Sequence, residues 1–242
     1  MAGYAPAQEA PLDGHESFAD DLAGIPSFLI DPQGSARRVH TKWFWVGPLI
    51  LFSIVSIIAG IVLTPIAQHV MEIAPIPDGV DPAVYQQRLQ QGFKFQSYAI
   101  YLAPITTAII FALQAVVLFG VSQIFTVKAT FRQMFNLIAG CSIIQLLSSI
   151  ASVIILKTKG EISTMAELRP ALGLDIFLPE GTNKFLMAFL GYFSIFEVWW
   201  MVMLVLIASA AFKVNKGKAA MIVAPLVLIS LLFRVGAAVF QR

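Results

Sequence analysis

The chain has few charged residues and a single cysteine. Charged residues make up 12% of its 242 residues and hydrophobic residues 58%, whereas soluble domains carry about 25% charged residues. This composition excludes an ordinary soluble protein, which cannot hide so much apolar surface, and indicates a membrane protein. The lone Cys141 excludes an internal disulfide. The net charge is only +2, and the sequence lacks the clustered basic face of nucleic-acid-binding proteins. We therefore predict no nucleic-acid partner.

The sequence also lacks the motifs of an enzyme active site. Its histidines lie far apart, and none has another histidine at helical metal-ligand spacing. No glycine-rich phosphate loop and no serine nucleophile elbow is found. We therefore predict no catalytic residue, no metal ion and no cofactor.

The first 24 residues lack the pattern of a secretory signal peptide. They are polar and acidic, whereas a signal peptide has a basic start followed by a short apolar run. We predict that residues 1–24 are a disordered acidic tail and that insertion relies on the first transmembrane helix.

The sequence does contain long apolar runs. Five of them can cross the roughly 30 Å of hydrocarbon, which takes about 20 residues. They cover approximately residues 45–67, 98–125, 131–156, 185–212 and 219–240. Because lipid offers backbone groups no hydrogen-bond partner, each run is predicted to be a continuous helix. The predicted fold class is all-α, a polytopic membrane bundle of five transmembrane helices within residues 45–241.

Residues 25–44 are predicted to be an interfacial amphipathic segment that precedes the first span. Asp31-Pro32 is typical of a helix start, because Asp caps helices and Pro suits the first helical position. We predict a helix on the membrane surface over about residues 32–42; a plain extension of the first span is the alternative. Its basic and aromatic anchors would lie at headgroup level: Arg37, Arg38, Lys42, Trp43 and Trp45.

Basic residues are concentrated in the short loops. The loop between the fourth and fifth runs contains Lys213, Lys216 and Lys218 and no acidic residue, and the loop between the second and third contains Lys128. Lys and Arg collect on the cytoplasmic side of membrane proteins. In a five-span protein both loops share one side with the basic N-terminal segment. We therefore predict a cytoplasmic N-terminus and an external C-terminus.

Two long loops, approximately residues 68–97 and 157–184, are predicted on the opposite side. Asp81-Pro82 predicts a polar helical extension of the second span. In the other loop, the apolar stretch 174–178 is followed by a turn signal and is predicted to dip back onto the membrane. The sequence shows no internal repeat, which disfavours an inverted-repeat transporter.

Two ionisable residues stand inside predicted spans: Glu197 in the fourth and Arg234 in the fifth. Such residues are costly in lipid and are candidates for function. At 1.5 Å per residue both lie about 22 Å from the cytoplasmic boundary, and the short loop makes their helices antiparallel neighbours. We predict a structural ion pair that locks this hairpin. A relay or substrate-coupling role and separate solvation at the outer interface are the alternatives.

Three groups of motifs are similar to those of a known family. The first runs from Ile25-Pro26-Ser27-Phe28 through Asp31-Pro32 to Trp43 and Pro48, and the second is Thr130-Phe131-Arg132-Gln133. The third comprises Leu174-Asp175-Ile176-Phe177-Leu178-Pro179, Phe196 to Trp200, Lys216-Gly217-Lys218-Ala219-Ala220 and Leu232-Phe233-Arg234. On these motifs, residues 25–241 resemble the Yip-domain membrane proteins in their bacterial form.

The resemblance implies a five-helix bundle with a cytoplasmic N-terminus, no catalytic residues, and a bacterial inner membrane as the location. Eukaryotic relatives associate with small Rab-type GTPases, but we expect no extended cytoplasmic domain for such a partner here. We predict a non-enzymatic membrane scaffold or adaptor that associates with itself or with other membrane proteins. The alternatives are an accessory subunit of a transport or electron-transfer complex, and a small-solute transporter with Glu197 and Arg234 in its pathway.

Overall fold

The computed structural model describes residues 18–76, 79–162, 164, 167–168, 170–179 and 182–238, and this part of the chain contains helices and no strands. The four longest apolar helices each suffice to cross a membrane. They are α4 (Val46–Ile73), α6 (Ala103–Ile124), α7 (Phe131–Thr158) and α10 (Lys216–Ala237). A bent pair, α8 (Lys184–Tyr192) and α9 (Ile195–Ala211), is together long and apolar enough for a fifth span, with 47° between the two helices. The predicted all-α membrane bundle is confirmed.

The fourth span is not the continuous helix predicted over residues 185–212. α8 ends at Tyr192 and α9 begins at Ile195. The Ser194 hydroxyl accepts a hydrogen bond from the Glu197 backbone N–H at 3.1 Å, which satisfies one of the free amides at the start of α9. Serine followed three residues later by glutamate is a helix-start signal, so the span divides there despite its apolar composition.

The predicted extension of the second span is a separate helix, α5 (Pro82–Tyr101), and none of its 20 residues is buried. α5 packs along α4, and Leu102 separates it from α6. Pro104 stands in the first turn of α6, where its missing N–H costs no hydrogen bond. The second span therefore starts at Ala103, five residues later than predicted from the sequence.

α7 forms the centre of the bundle. α4, α6 and α9 pack against it, and α10 packs against α6 and α9. Its inner face contains small residues, among them Ala139, Gly140 and Ser142, all buried. Small side chains let helix backbones approach closely in membranes, where packing replaces the hydrophobic effect between helices. Cys141 is buried in the same run.

Two hairpins of the bundle share a local pattern, although no repeat was predicted. Residues 122–127 (SQIFTV) end α6 and residues 209–214 (SAAFKV) end α9. In both, the fifth residue has a φ of 52°, at Thr126 and at Lys213. The Val127 and Val214 amides donate back to the serine carbonyls at 2.9 and 3.1 Å, which is the Schellman helix end. The pairs α6–α7 and α9–α10 are thus built alike.

Three short helices precede the first span: α1 (Phe18–Ala23), α2 (Ser27–Ile30) and α3 (Pro32–Arg38). The predicted cap at Asp31 is confirmed, because its carboxylate accepts from the backbone amides of Gln33 and Gly34 at 3.1 and 3.0 Å. The predicted tail is helical, rather than disordered, over Phe18–Ala23. Residues 1–17 of that tail lie outside the described residues.

Several apolar side chains of residues 25–44 are covered by protein, whereas Ile30 and Trp43 are exposed. Phe28, Val39 and Phe44 are fully buried in the main core. α3 ends at Arg38, short of the predicted end near residue 42, and packs against α9. We call residues 18–45 the docked segment. Its depth relative to the membrane surface stays a prediction.

Candidate functional site

Polar side chains meet at the break between α8 and α9, at the end of the bundle opposite the loops that contain Lys128 and Lys213. Glu197 lies in the first turn of α9 and is half-buried. Its carboxylate interacts with Tyr192 at the end of α8 and with Gln145 of α7. Three helices therefore direct polar groups to one place in an apolar bundle, where such groups mark candidate functional sites.

Glu197 and Arg234 are neighbours, but they do not form a contact ion pair. α9 and α10 pack against each other, and the two charges interact electrostatically. Between these two described residues, however, no carboxylate oxygen lies within 4.0 Å of a guanidinium nitrogen. The Arg234 side chain is exposed. The predicted direct pairing is absent from this structure, and a locking role for the two charges stays a prediction.

Asp175 is a third charged residue of this site, and it was not predicted from the sequence. It lies in a short 3₁₀ helix, Leu174–Phe177. A Cβ built at Gly191 would stand 2.9 Å from Asp175 Oδ2 and 3.5 Å from Arg234 Nη2. Both charged groups thus lie within a few ångström of one point beside α8. The available signal was one acidic residue inside the apolar stretch 174–178. We call Gln145, Asp175, Tyr192, Glu197 and Arg234 the break cluster.

Two glycines allow the 3₁₀ helix to pack closely against α8. A Cβ at Gly173 would lie 2.8 Å from the carbonyl oxygen of Gly191, closer than packed atoms approach. The Gly173 amide donates to Asp175 Oδ1 at 3.1 Å, which orients the carboxylate. The loop predicted to dip onto the membrane therefore rests on α8, with Ile176 and Phe177 64% and 82% exposed. Its contact with lipid stays a prediction.

A shallow groove of about 500 Å³ opens beside the break cluster. Its lining is mostly apolar and comes from the 3₁₀ region and α9: Leu172, Gly173, Leu174, Phe193, Ser194, Ile195, Val198 and Trp199. A second depression, of about 360 Å³, lies between α4 and α5, where Met71 faces Phe93. Among the described residues, no three His, Cys, Asp or Glu side chains come together as metal ligands.

Asn136 joins the docked segment to the core. Its side chain is fully buried, and its amide donates to the carbonyls of Val39 and Thr41 at 3.0 and 2.8 Å. Its side-chain oxygen accepts from the backbone amide of Trp45 at 3.1 Å. This one side chain thus provides hydrogen-bond partners for three backbone groups of the non-helical stretch before α4. Buried backbone groups require such partners.

His40 links the docked segment to the ends of two spans. Its Nε2 lies 3.0 Å from the Ala211 carbonyl of α9, and its Nδ1 lies 2.8 Å from Gln133 Nε2 of α7. A carbonyl only accepts and an amide nitrogen only donates, so this geometry fits the tautomer with the proton on Nε2. Gln133 Oε1 accepts from the Thr130 amide in the capping box of α7, which holds the glutamine amide in this orientation.

Three of the predicted membrane anchors are exposed. Arg37, Lys42 and Trp43 all lie on the surface of the docked segment. Lys42 Nζ lies 5.4 Å from the centre of the Trp43 ring, a cation–π distance. The two side chains therefore present one basic and aromatic patch, and its contact with lipid headgroups stays a prediction.

The other two predicted anchors contact protein. Arg38 donates to the Asp20 carbonyl at 2.7 Å and lies 3.7 Å from the Asp21 carboxylate. The Trp45 ring packs edge-on against Phe135, with 5.6 Å between ring centres. These contacts fasten α1 and the start of α4, so both residues have a structural use that the sequence did not suggest.

The predicted basic loop is a tight turn at the end of α9. Lys213 holds the left-handed position of the helix end, and Lys216 is exposed. The Asn215 side chain accepts from the Lys218 amide at 2.7 Å and caps α10. The three basic residues thus cluster because the turn that joins the two spans is short.

The family model of the Yip1 domain matches residues 27–237, from the start of α2 in the docked segment to the end of α10. The chain belongs to the Yip1 domain family. The predicted resemblance to the Yip-domain proteins is confirmed, whereas the bacterial type stays a prediction, and this Yip1-family protein is an integral membrane protein by its family and its apolar helices. Neither the curated proteins nor the solved structures give a match. The match includes both Asn136 and the break cluster.

Proposed function

We propose that this Yip1-family protein is a non-enzymatic membrane scaffold or adaptor that binds another membrane protein through α5. The observation that carries the proposal is the exposure of α5, a helix of 20 residues none of which is buried. Isolated helices of this length are marginal in water, and most helices are stabilised by tertiary packing. α5 contacts α4 along one side, and a partner would cover the rest.

The free side of α5 offers the residues that protein interfaces use. Phe95, Tyr98 and Tyr101 are 75%, 70% and 73% exposed. Aromatic side chains are enriched at the centres of interfaces because they bury a large area at low entropic cost. The polar residues around them, including Arg88 and Lys94, suit a rim.

The test is to isolate the tagged full-length protein from native membranes in mild detergent and to identify what accompanies it. We expect a second membrane protein, or a second copy, at a fixed ratio. Phe95→Ala should lower that ratio, whereas Leu113→Ala, on the exposed face of α6, should not. A chain that emerges alone, or a ratio that Phe95→Ala leaves unchanged, would contradict the proposal.

We also propose an orientation with the N-terminus in the cytoplasm, in a bacterial inner membrane. Lys128, Lys213 and Lys216 lie at one end of the bundle, in the short loops that follow α6 and α9. Positive residues in short loops favour the cytoplasmic side. The exposed patch of Lys42 and Trp43 adds positive charge at the same end.

Small-solute transport is a second candidate function, favoured by the break cluster. Secondary transporters form substrate sites where membrane helices are interrupted and charges face the break. The α8–α9 break places Glu197 beside Tyr192, and the two similar hairpins resemble parallel repeats. A transporter would be stable alone and would move solute in liposomes, with loss of transport in Glu197→Gln. A chain that is stable only with its partner favours the adaptor.

A further inference from the structure

The groove beside the break cluster is open towards the hydrocarbon. Ile195 and Val198 of α9 form one wall and are 73% and 45% exposed. Both belong to a span, so water does not reach this surface and acyl chains cover it. The groove is therefore shaped for a hydrocarbon chain and not for a soluble ligand.

Arg234 lies at the level of lipid headgroups. It lies in the last turn of α10, at the end of this span opposite the loop that contains Lys213. Its side chain is exposed, so the guanidinium can extend to the interface. A guanidinium there meets phosphate, which it binds through two parallel hydrogen bonds.

The Asp175 carboxylate lies near the Arg234 guanidinium but does not form an ion pair with it. Asp175 and Arg234 flank the same side of Gly191, yet between these described residues no oxygen and nitrogen lie within 4.0 Å. Gly173, which lines the groove, packs directly on Gly191. The two opposite charges therefore stand apart, side by side, at one end of an apolar groove.

We propose that this site binds one phospholipid with a primary-amine headgroup, of the phosphatidylethanolamine type. The phosphate contacts Arg234, the ammonium group contacts the Asp175 carboxylate, and one acyl chain lies along the groove between the 3₁₀ helix and α9. A zwitterionic headgroup brings a partner for each of the two charges in one molecule. This site is distinct from the partner surface on α5.

The two carboxylates of the break cluster set the headgroup preference. A quaternary ammonium has no N–H to donate to Asp175, so phosphatidylcholine loses that hydrogen bond. An anionic headgroup such as phosphatidylglycerol brings no positive charge and meets Asp175 and Glu197 with repulsion. The expected order of affinity is ethanolamine over choline, and choline over glycerol.

The experiment uses the full-length protein in phosphatidylcholine nanodiscs, into which phosphatidylethanolamine or phosphatidylglycerol is titrated while thermal unfolding is followed. A ligand that binds the folded state raises the midpoint in a concentration-dependent way. We expect phosphatidylethanolamine to raise it and phosphatidylglycerol not to. Equal responses to the two lipids would overturn the proposal.

Variants separate the site from a general effect of the bilayer. Arg234→Gln and Asp175→Asn should each weaken the apparent affinity about tenfold, the loss of one charge-assisted hydrogen bond. Lys159→Gln and Glu161→Gln, exposed charges on the same end of the bundle, serve as matched controls and should respond like the wild type. An unchanged response of Asp175→Asn would overturn the assignment of the ammonium.

A third variant tests the groove without touching its charges. Val198→Phe fills the groove from the exposed face of α9 and should weaken binding, whereas Val202→Phe, one turn further and 50% exposed, should not. This pair keeps the proposal testable if Arg234→Gln fails to fold. Equal lipid affinity of the two valine variants would contradict an acyl chain in the groove.

Discussion

The Phe28 ring occupies the space that a side chain at position 140 would need. A Cβ built on Gly140 would overlap the ring, which is fully buried and stacks on Phe44 with 4.9 Å between ring centres. α2 of the docked segment thus sits directly on the backbone of α7. The absence of a side chain at one helical position determines where a separate part of the chain can pack.

Gly140→Ala should therefore destabilise the protein by about 1–3 kcal/mol, the usual cost of overpacking a core. Gly120→Ala is the matched control, because a Cβ at Gly120 meets nothing within 4 Å. That change should leave stability unchanged or raise it by up to about 1 kcal/mol, from helix propensity. Thermal unfolding of both variants in one detergent measures the difference, and equal midpoints would count against the docking of Phe28.

Asn136→Leu should release the docked segment. It leaves the Val39 and Thr41 carbonyls without their partner, at about 1–3 kcal/mol for each buried group. Brief trypsin treatment measures the release, since cleavage after the exposed Arg37 should become faster. Gln114→Leu, a polar residue of α6 outside this network, is the control. If Asn136→Leu is cleaved no faster than Gln114→Leu, the docking role of Asn136 is wrong.

The electrostatic link between Glu197 and Arg234 can be tested by exchanging the charges. Glu197→Gln and Arg234→Gln should each lower the yield of folded protein, since an unneutralised charge inside a membrane costs up to about 3 kcal/mol. The double exchange, Glu197→Arg with Arg234→Glu, should recover yield above either Glu197→Arg or Arg234→Glu alone. Size-exclusion recovery after detergent extraction gives the yield. A double exchange no better than its single changes would refute the link.

Reporter fusions at both termini should place the N-terminus in the cytoplasm and the C-terminus outside. The reason is an odd number of spans, with α8 and α9 crossing together as one bent pair. A third fusion after Thr164, in the loop between α7 and α8, should report the external side. A cytoplasmic C-terminus would mean that α8 and α9 do not cross as one span.

Local features of the sequence determined the class of the protein and much of its secondary structure. Apolar runs of about 20 residues indicate membrane-spanning helices, because lipid offers backbone groups no hydrogen-bond partner and a helix satisfies them internally. The cap at Asp31 follows from the chemistry of one side chain and its nearest amides. The break at Ser194 carried a similar local signal, but the apolar residues on both sides led to the prediction of one continuous helix.

Only the tertiary structure decided which distant groups meet. No residue near Asn136 in the chain predicts that it binds the backbone around Val39. Asp175 lies near Arg234 because Gly173 packs on Gly191. The sequence placed Glu197 and Arg234 at similar depths, yet between these two described residues no carboxylate oxygen lies within 4.0 Å of a guanidinium nitrogen. Hydropathy and capping depend on neighbouring residues, whereas contacts between helices depend on how their surfaces fit, and that fit is settled when the whole bundle packs.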